Sequence, residues 1–229
     1  MRNIENYLKI YKSKGLRMVI EYFIYNHLFD IINKTNTHSM EGLQGLETKE
    51  LDAVAYTPTW IKDIKKATVK LEKIIGKKEI SNGTLIDLGS GKGKVLIAWK
   101  LLYPKHKKII GLEYNQNHIS ISYKNFDKLN LKNIEIINGD ASTVMLEGIN
   151  ADNYRVFFMY NPFGIKTIKK FFANNISQKV GLIYFNPVHH AQIKDLGFEE
   201  IYSNNTYRAG GSFSLYLYRS SYNKEELIN

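Results

Sequence analysis

Apolar residues along this chain change their spacing near residue 84. Before it they recur at the helical interval of three or four positions. Leu16, Val19, Ile20, Phe23, Ile24 and Leu28 fall near one face. This predicts helices over about 3–12 and 16–33, broken at Ser13-Lys14-Gly15. A polar, Gly-containing stretch, NKTNTHSMEGLQGLETKE, reads as a loop. A further helix is predicted from Pro58 to Gly76 with Thr57 as its cap, because Trp60, Ile61, Ile64, Ala67, Thr68, Leu71, Ile74 and Ile75 keep the spacing. Its opposite face carries Lys62, Lys65, Lys66, Lys70 and Lys73. From residue 84 short apolar runs take over, at 84–88, 108–114, 134–140, 154–160, 180–186, 198–203 and 212–219. Helical segments follow the first, second and fourth of them. Strands alternating with helices predict an α/β fold: a seven-stranded, mostly parallel sheet with helices on both faces. The last two strands, joined through Gly210-Gly211, predict an antiparallel edge.

A length of 229 residues allows one large domain with an appendage. The change of pattern divides it into an N-terminal helical cap, 1–55, and a main domain, 56–229. Absence of cysteine excludes thiol nucleophiles, disulfides and zinc-thiolate sites, and fits a reducing cytoplasm. No leader peptide or membrane-spanning run is expected, since Leu16–Ile32 is interrupted by Arg17, Glu21, Asn26, His27 and Asp30. The formal charge of +10 attracts anionic partners, nucleic acid among them.

The densest chemistry lies in TLIDLGSGKGKV. Asp87 stands near the end of the first strand, and Gly89, Gly91 and Gly93 follow at alternate positions. Such glycines let a ligand approach the backbone and open a helix whose amino end favours anions. The dinucleotide pattern G-x-G-x-x-G fails at Lys94, and the Walker pattern fails because Gly89 has no Gly five residues on. Further polar groups close successive strands: Glu113 the second, Asp140 the third, Tyr160-Asn161-Pro162-Phe163 the fourth. In open α/β sheets, ligands bind at those strand ends.

This series resembles the class I S-adenosylmethionine (SAM)-dependent methyltransferases, which have a Rossmann-like sheet. The likeness runs over about 55–220, and is nearest to bacterial forms with a Y-x-P element before the Gly turn, here Tyr56-Thr57-Pro58, and N-P-F after the fourth strand. The resemblance implies SAM as cofactor. It implies cofactor contacts from Tyr56, Asp87, Gly89, Ser90, Gly91, Gly93, Glu113, Tyr114, Asp140, Ala141 and Asn161. Glu113 would meet the ribose hydroxyls and Asp140 the adenine. Tyr160, Asn161, Pro162 and Phe163 would form the catalytic group, with the Asn161 oxygen accepting a hydrogen bond from a target amine and Phe163 stacking on the substrate. The family's second proline is missing, because Gly164 follows Phe163. N6-adenine methylation is therefore in doubt, and the acceptor is left as an amine, hydroxyl or carboxylate of a small molecule or protein side chain. RNA methylation and a non-catalytic SAM-binding module are the alternatives.

His189 and His190, after the fifth strand, are candidate bases, and Arg208 is a candidate anion contact. His118 reads as wall or surface. No metal site is expected, since adjacent histidines lack ligand spacing. Lys92, Lys94, Lys100, Lys105, Lys107 and Lys108 read with the other lysines as outer faces of helices, away from the strand ends.

Overall fold

Three strands carry the middle of the molecule. β1 (Thr84–Leu88), β4 (Arg155–Met159) and β5 (Val180–Phe185) are buried along their whole length, as parallel strands covered on both faces should be. The computed structural model describes residues 2–38, 59–149, 153–204 and 212–219, all but the side chains of residues 2–6 and 26. With β2 (Ile109–Glu113), β3 (Ile134–Asn138), β6 (Phe198–Asn204) and β7 (Phe213–Tyr218) it gives one sheet in the order β3-β2-β1-β4-β5-β7-β6. β1 to β5 run parallel, and β7 is antiparallel to both its neighbours. The expected antiparallel edge is therefore a pair, with the later strand on the inside. All seven expected strands are present, trimmed by a residue or two at some ends. Gly210 and Gly211 lie outside the described residues.

α3 (Ile61–Ile75), α5 (Lys94–Leu102) and α6 (Gln116–Lys128) cover one face. α7 (Ile165–Asn175) and α8 (His190–Asp195) cover the other. The Trp99 indole N–H donates to the Thr68 hydroxyl at 2.9 Å, satisfying a fully buried polar group and tying α5 to α3. α3 starts at Ile61, later than the expected Pro58; Thr57 and Pro58 lie outside the described residues. Gly76, at φ 101°, ends α3, and the short α4 (Lys77–Asn82) follows. Neither α4 nor α8 has enough turns to leave a periodic pattern in the sequence.

The N-terminal helix α1 (Arg2–Tyr22) breaks at Gly15 (φ 79°, ψ 173°), where the Ser13-Lys14-Gly15 interruption places it. The expected continuous helix over 16–33 instead widens into a π-helical turn, Phe23–Leu28, before α2 (Phe29–Asn33). π-turns of this kind tend to accompany functional sites. No helix among the described residues is long and apolar enough to cross a membrane.

Candidate active site

The Gly turn after β1 is a run of left-handed backbone. Gly89, Gly91 and Gly93 have φ of 73°, 53° and 80°, which L side chains adopt only at a cost. Two of them are also closed by close packing. A Cβ on Gly89 would lie 2.5 Å from Pro162 Cβ, and one on Gly93 would lie 2.8 Å from the Phe126 ring. The first contact joins the Gly turn to the N-P-F segment. Gly89→Ala should therefore cost about 2–4 kcal/mol, combining a left-handed Ala with overpacking. Urea unfolding with an unchanged m-value checks this; a loss under 0.5 kcal/mol would mean that Pro162 yields freely.

Glu113, at the end of β2, leans across the turn. Its Oε2 accepts the Gly91 N–H at 2.6 Å and its Oε1 accepts the Asn115 N–H at 2.8 Å. Each carboxylate oxygen retains a second lone pair, so a ligand's vicinal hydroxyls have acceptors here. His118 Nδ1 lies 3.8 Å from Oε1, which makes His118 a buried neighbour of Glu113 rather than surface. Asp87 lies behind, 3% exposed. Burial, reinforced by the Glu113 charge, raises its carboxyl well above the ordinary range. Ser90 Oγ is buried with no hydrogen-bond partner among the described residues. Asp140 Oδ1 accepts the Ser142 N–H at 2.7 Å, so it caps its own turn. Ala141 is buried beside it, and Tyr114 is half exposed. Tyr56 lies outside the described residues.

At the end of β4, Asn161 takes φ 44°, and at the end of β5 Asn186 takes φ 48°. Asn tolerates this conformation better than other non-Gly residues. Asn161 Nδ2 donates to the Asn186 carbonyl at 2.7 Å. A carbonyl can only accept, so this bond fixes the orientation of the amide and leaves Oδ1 as the other atom. Oδ1 is buried and has no partner among the described residues, a costly state for a polar atom. Tyr160 packs against Phe185, with ring centroids 6.2 Å apart. Phe163 packs on the core beneath α7.

The other candidates have contacts of their own. His190 Nδ1 lies 2.8 Å from the Tyr216 hydroxyl and 3.7 Å from Glu200, on the β6–β7 side of the sheet. His189 precedes α8, its N–H donating to the Tyr184 hydroxyl at 3.3 Å. Arg208 lies outside the described residues. Lys92, Lys94 and Lys100 correct the sequence reading: they are 0%, 2% and 6% exposed, not outer-face lysines. Lys100 donates to the His106 carbonyl at 2.7 Å. Burial lowers Lys94 to about 8, against the opposing pull of Asp30.

The sequence gives no signal for the contacts that hold the turn from outside. The Ser122 hydroxyl donates to the Gly91 carbonyl at 2.9 Å. Asn125 Nδ2 donates to the carbonyls of Lys92 and Asn36, both at 3.1 Å, while its Oδ1 accepts the Asn36 N–H at 2.8 Å. One amide thus clamps the segment after α2 onto the Gly turn. The Asp30 carboxylate organises that segment, accepting from Thr35 Oγ1, from the Thr37 hydroxyl and N–H, and from the His38 N–H. Tyr22 OH meets His38 Nε2 at 3.0 Å. Burial, then Lys94 and His27 close by, lower His38 to about 3, so this imidazole is neutral.

Among solved structures, the chain is similar to MtNAS in complex with S-adenosylmethionine, with a TM-score of 0.51 and 14% identity over 68% of this chain and 62% of that one. The shared fold is the Rossmann-like, mostly parallel seven-stranded sheet. Residues 81–166 match a methyltransferase family model described as "Putative methyltransferase". That match takes in Asp87, Glu113, Asp140 and Asn161 and leaves out the N-terminal helices and β5 to β7. Two curated methyltransferases also match. An "Uncharacterized RNA methyltransferase" of Clostridium tetani is 29% identical over 155 residues, 63% of this chain and 33% of its own length. A "Probable cobalt-precorrin-6B C(15)-methyltransferase (decarboxylating)" of Sulfolobus acidocaldarius is 33% identical over 60 residues, 26% of this chain and 31% of its own. The chain thus spans about a third of the length of these relatives.

Proposed function

We propose that this chain is a SAM-dependent methyltransferase acting on an N–H acceptor. The observation that carries the reading is the contact of Gly89 with Pro162. It brings the N-P-F segment against the Gly turn, which supports a reading in which a cofactor cradle and an acceptor group share one rim. The residues present fit SAM. Glu113 has lone pairs for ribose hydroxyls, and the buried Asp87 can ionise opposite a ligand ammonium. SAM supplies an activated methyl group on a sulfonium.

The chain's own residues do the rest. Asn161 Oδ1 accepts the acceptor N–H, orienting the nitrogen and stabilising charge that develops on it, which lowers the barrier by electrostatic preorganisation. Asn186 fixes the amide so that oxygen, not nitrogen, faces the acceptor. Neutral His38 and the Tyr22 hydroxyl belong to the cap, residues 1–55 in this reading, which Asn125 holds over the turn to keep water out. Asp140 acts mainly as a turn cap and offers its carboxylate to the adenine side. His189 and His190 have no part in proton transfer here.

The acceptor class expected from the sequence is a small molecule or protein amine. An RNA acceptor is the second reading, supported by the name of the Clostridium tetani relative and by a lysine groove described below. The test is isothermal titration with S-adenosylhomocysteine. Micromolar binding is expected, weakened at least tenfold in Glu113→Ala through loss of both hydroxyl acceptors. Absence of heat with folded wild-type protein ends the reading.

A further inference from the structure

Four lysines of α3 recur as Lys62, Lys66, Lys70 and Lys73, one stripe along the helix, with Lys65 at its margin. The stripe is about 16 Å long, from eleven residues at 1.5 Å each. It borders a groove of about 390 Å³ between α3 and the β6–β7 pair. The groove's other wall is aromatic, Tyr202 and Phe213, and Val69 of α3 adds an apolar residue between the lysines. Solvated lysine faces ordinarily point away from such surfaces, but here the Lys70 ammonium lies 4.5 Å from the centre of the Tyr202 ring. Acidic partners are scarce. Of the α3 lysines only Lys62 forms an ion pair with a described residue, Glu21 at 3.7 Å. Glu72 of the same helix turns away to accept the Tyr103 hydroxyl at 2.5 Å.

The groove is connected to the candidate active site. Tyr202 packs on Phe213 at 5.9 Å, Phe213 stacks on Phe185 at 5.2 Å, and Phe185 meets Tyr160 at 6.2 Å. Tyr160 precedes Asn161. Trp60, at the start of α3, lies against Tyr22 and Tyr25 of the cap. Phe213 pairs with Phe185, and the next residue, Asn186, accepts the Asn161 amide, so the Phe213 end of the groove lies at the same end of the sheet as Asn161.

We infer that this groove is the substrate track of the enzyme and that the substrate is a single-stranded nucleic acid. The inference rests on the methyltransferase reading above. A regular row of ammonium groups matches a regular row of phosphates. The partly exposed Tyr202 ring offers a surface on which a base packs without sequence preference. A single strand is favoured over a duplex because the target base must leave any stack to reach Asn161. Lysine point charges also suit phosphate contacts that position a strand without reading it.

The test uses fluorescence anisotropy with a labelled 20-nucleotide RNA, the matching single-stranded DNA and a polyglutamate peptide. RNA or DNA should bind at 50 mM salt and weaken steeply as salt rises. The triple variant Lys66→Glu, Lys70→Glu, Lys73→Glu should lose at least tenfold in affinity and flatten the log–log salt slope by about 2, at roughly 0.7 per phosphate contact on a single strand. The control triple Lys105→Glu, Lys107→Glu, Lys108→Glu makes the same charge change at exposed positions by the opposite, amino-terminal end of β2. It should bind as wild type does. The comparison of RNA with DNA decides which nucleic acid is the substrate. Equal losses in both triples, no binding at 50 mM salt, or a preference for polyglutamate would overturn the proposal. S-Adenosylhomocysteine titration on the same samples separates the outcomes: if it binds while the strand does not, only the substrate class fails.

Discussion

Asn161→Ala should lower methyl transfer about 10²–10³-fold, the usual effect of removing one group aimed at developing charge. Affinity for S-adenosylhomocysteine should stay within about twofold. The assay follows labelled methyl from SAM into RNA, protein and small-molecule fractions of cells lacking the protein, so it identifies the acceptor class as well. Two structural effects accompany the lost oxygen. Alanine at φ 44° is strained, and the Asn186 carbonyl loses its donor. Asn161→Gly separates the strain from chemistry, because glycine accepts the backbone angle and removes the same amide. Equal losses of turnover in both variants assign the effect to the amide rather than to the backbone angle. Full recovery in the glycine variant would make Asn161 a positioning element of the turn alone.

The second large effect concerns Asp87. Its carboxyl is held well above the ordinary range by burial and by Glu113, so the native state binds this proton more tightly than the unfolded chain does. The contribution to stability is full below the unfolded value near pH 4 and is lost as pH rises through the native one. Asp87→Asn cannot ionise. Its melting temperature should exceed that of wild type by a few degrees at neutral pH and converge with it toward pH 4. The same variant should lose about 2–5 kcal/mol of S-adenosylhomocysteine affinity, roughly 30-fold or more, because a buried ligand ammonium would face no charge. Gain of stability with loss of binding marks a group retained for its ligand. Unchanged binding would reduce Asp87 to a structural acid. In wild type, binding should tighten with rising pH as the carboxylate becomes available.

The middle of the sheet was legible because β1, β4 and β5 are buried on both sides and read as largely apolar runs closed by a glycine or polar residue, whereas the outer strands β3 and β6 are partly exposed and carry Glu135 and Glu199-Glu200. The strand-end groups were legible for the same reason, since they follow those runs directly. Lysines misled. Lys92, Lys94 and Lys100 look like solvent groups in a string of bases, yet they are buried because the cap and a carbonyl such as that of His106 enclose them. Composition cannot reveal such partners. Asn125 was invisible too: it sits among polar residues of an exposed-looking helix, and its partner Asn36 is 89 positions away. The α3 lysine stripe was visible as a periodicity, but only the β6–β7 wall turns a face into a groove.

Phe213 stacks on Phe185, and β7 fills the place between β5 and β6. Yet β7 is translated after both of them. On the ribosome, then, β5 waits with a bare hydrogen-bonding edge and an uncovered aromatic row until residues 213–218 emerge. Such an edge is a template for pairing with another nascent chain. Premature termination just upstream would leave that edge and the aromatic row uncovered, an aggregation-prone intermediate.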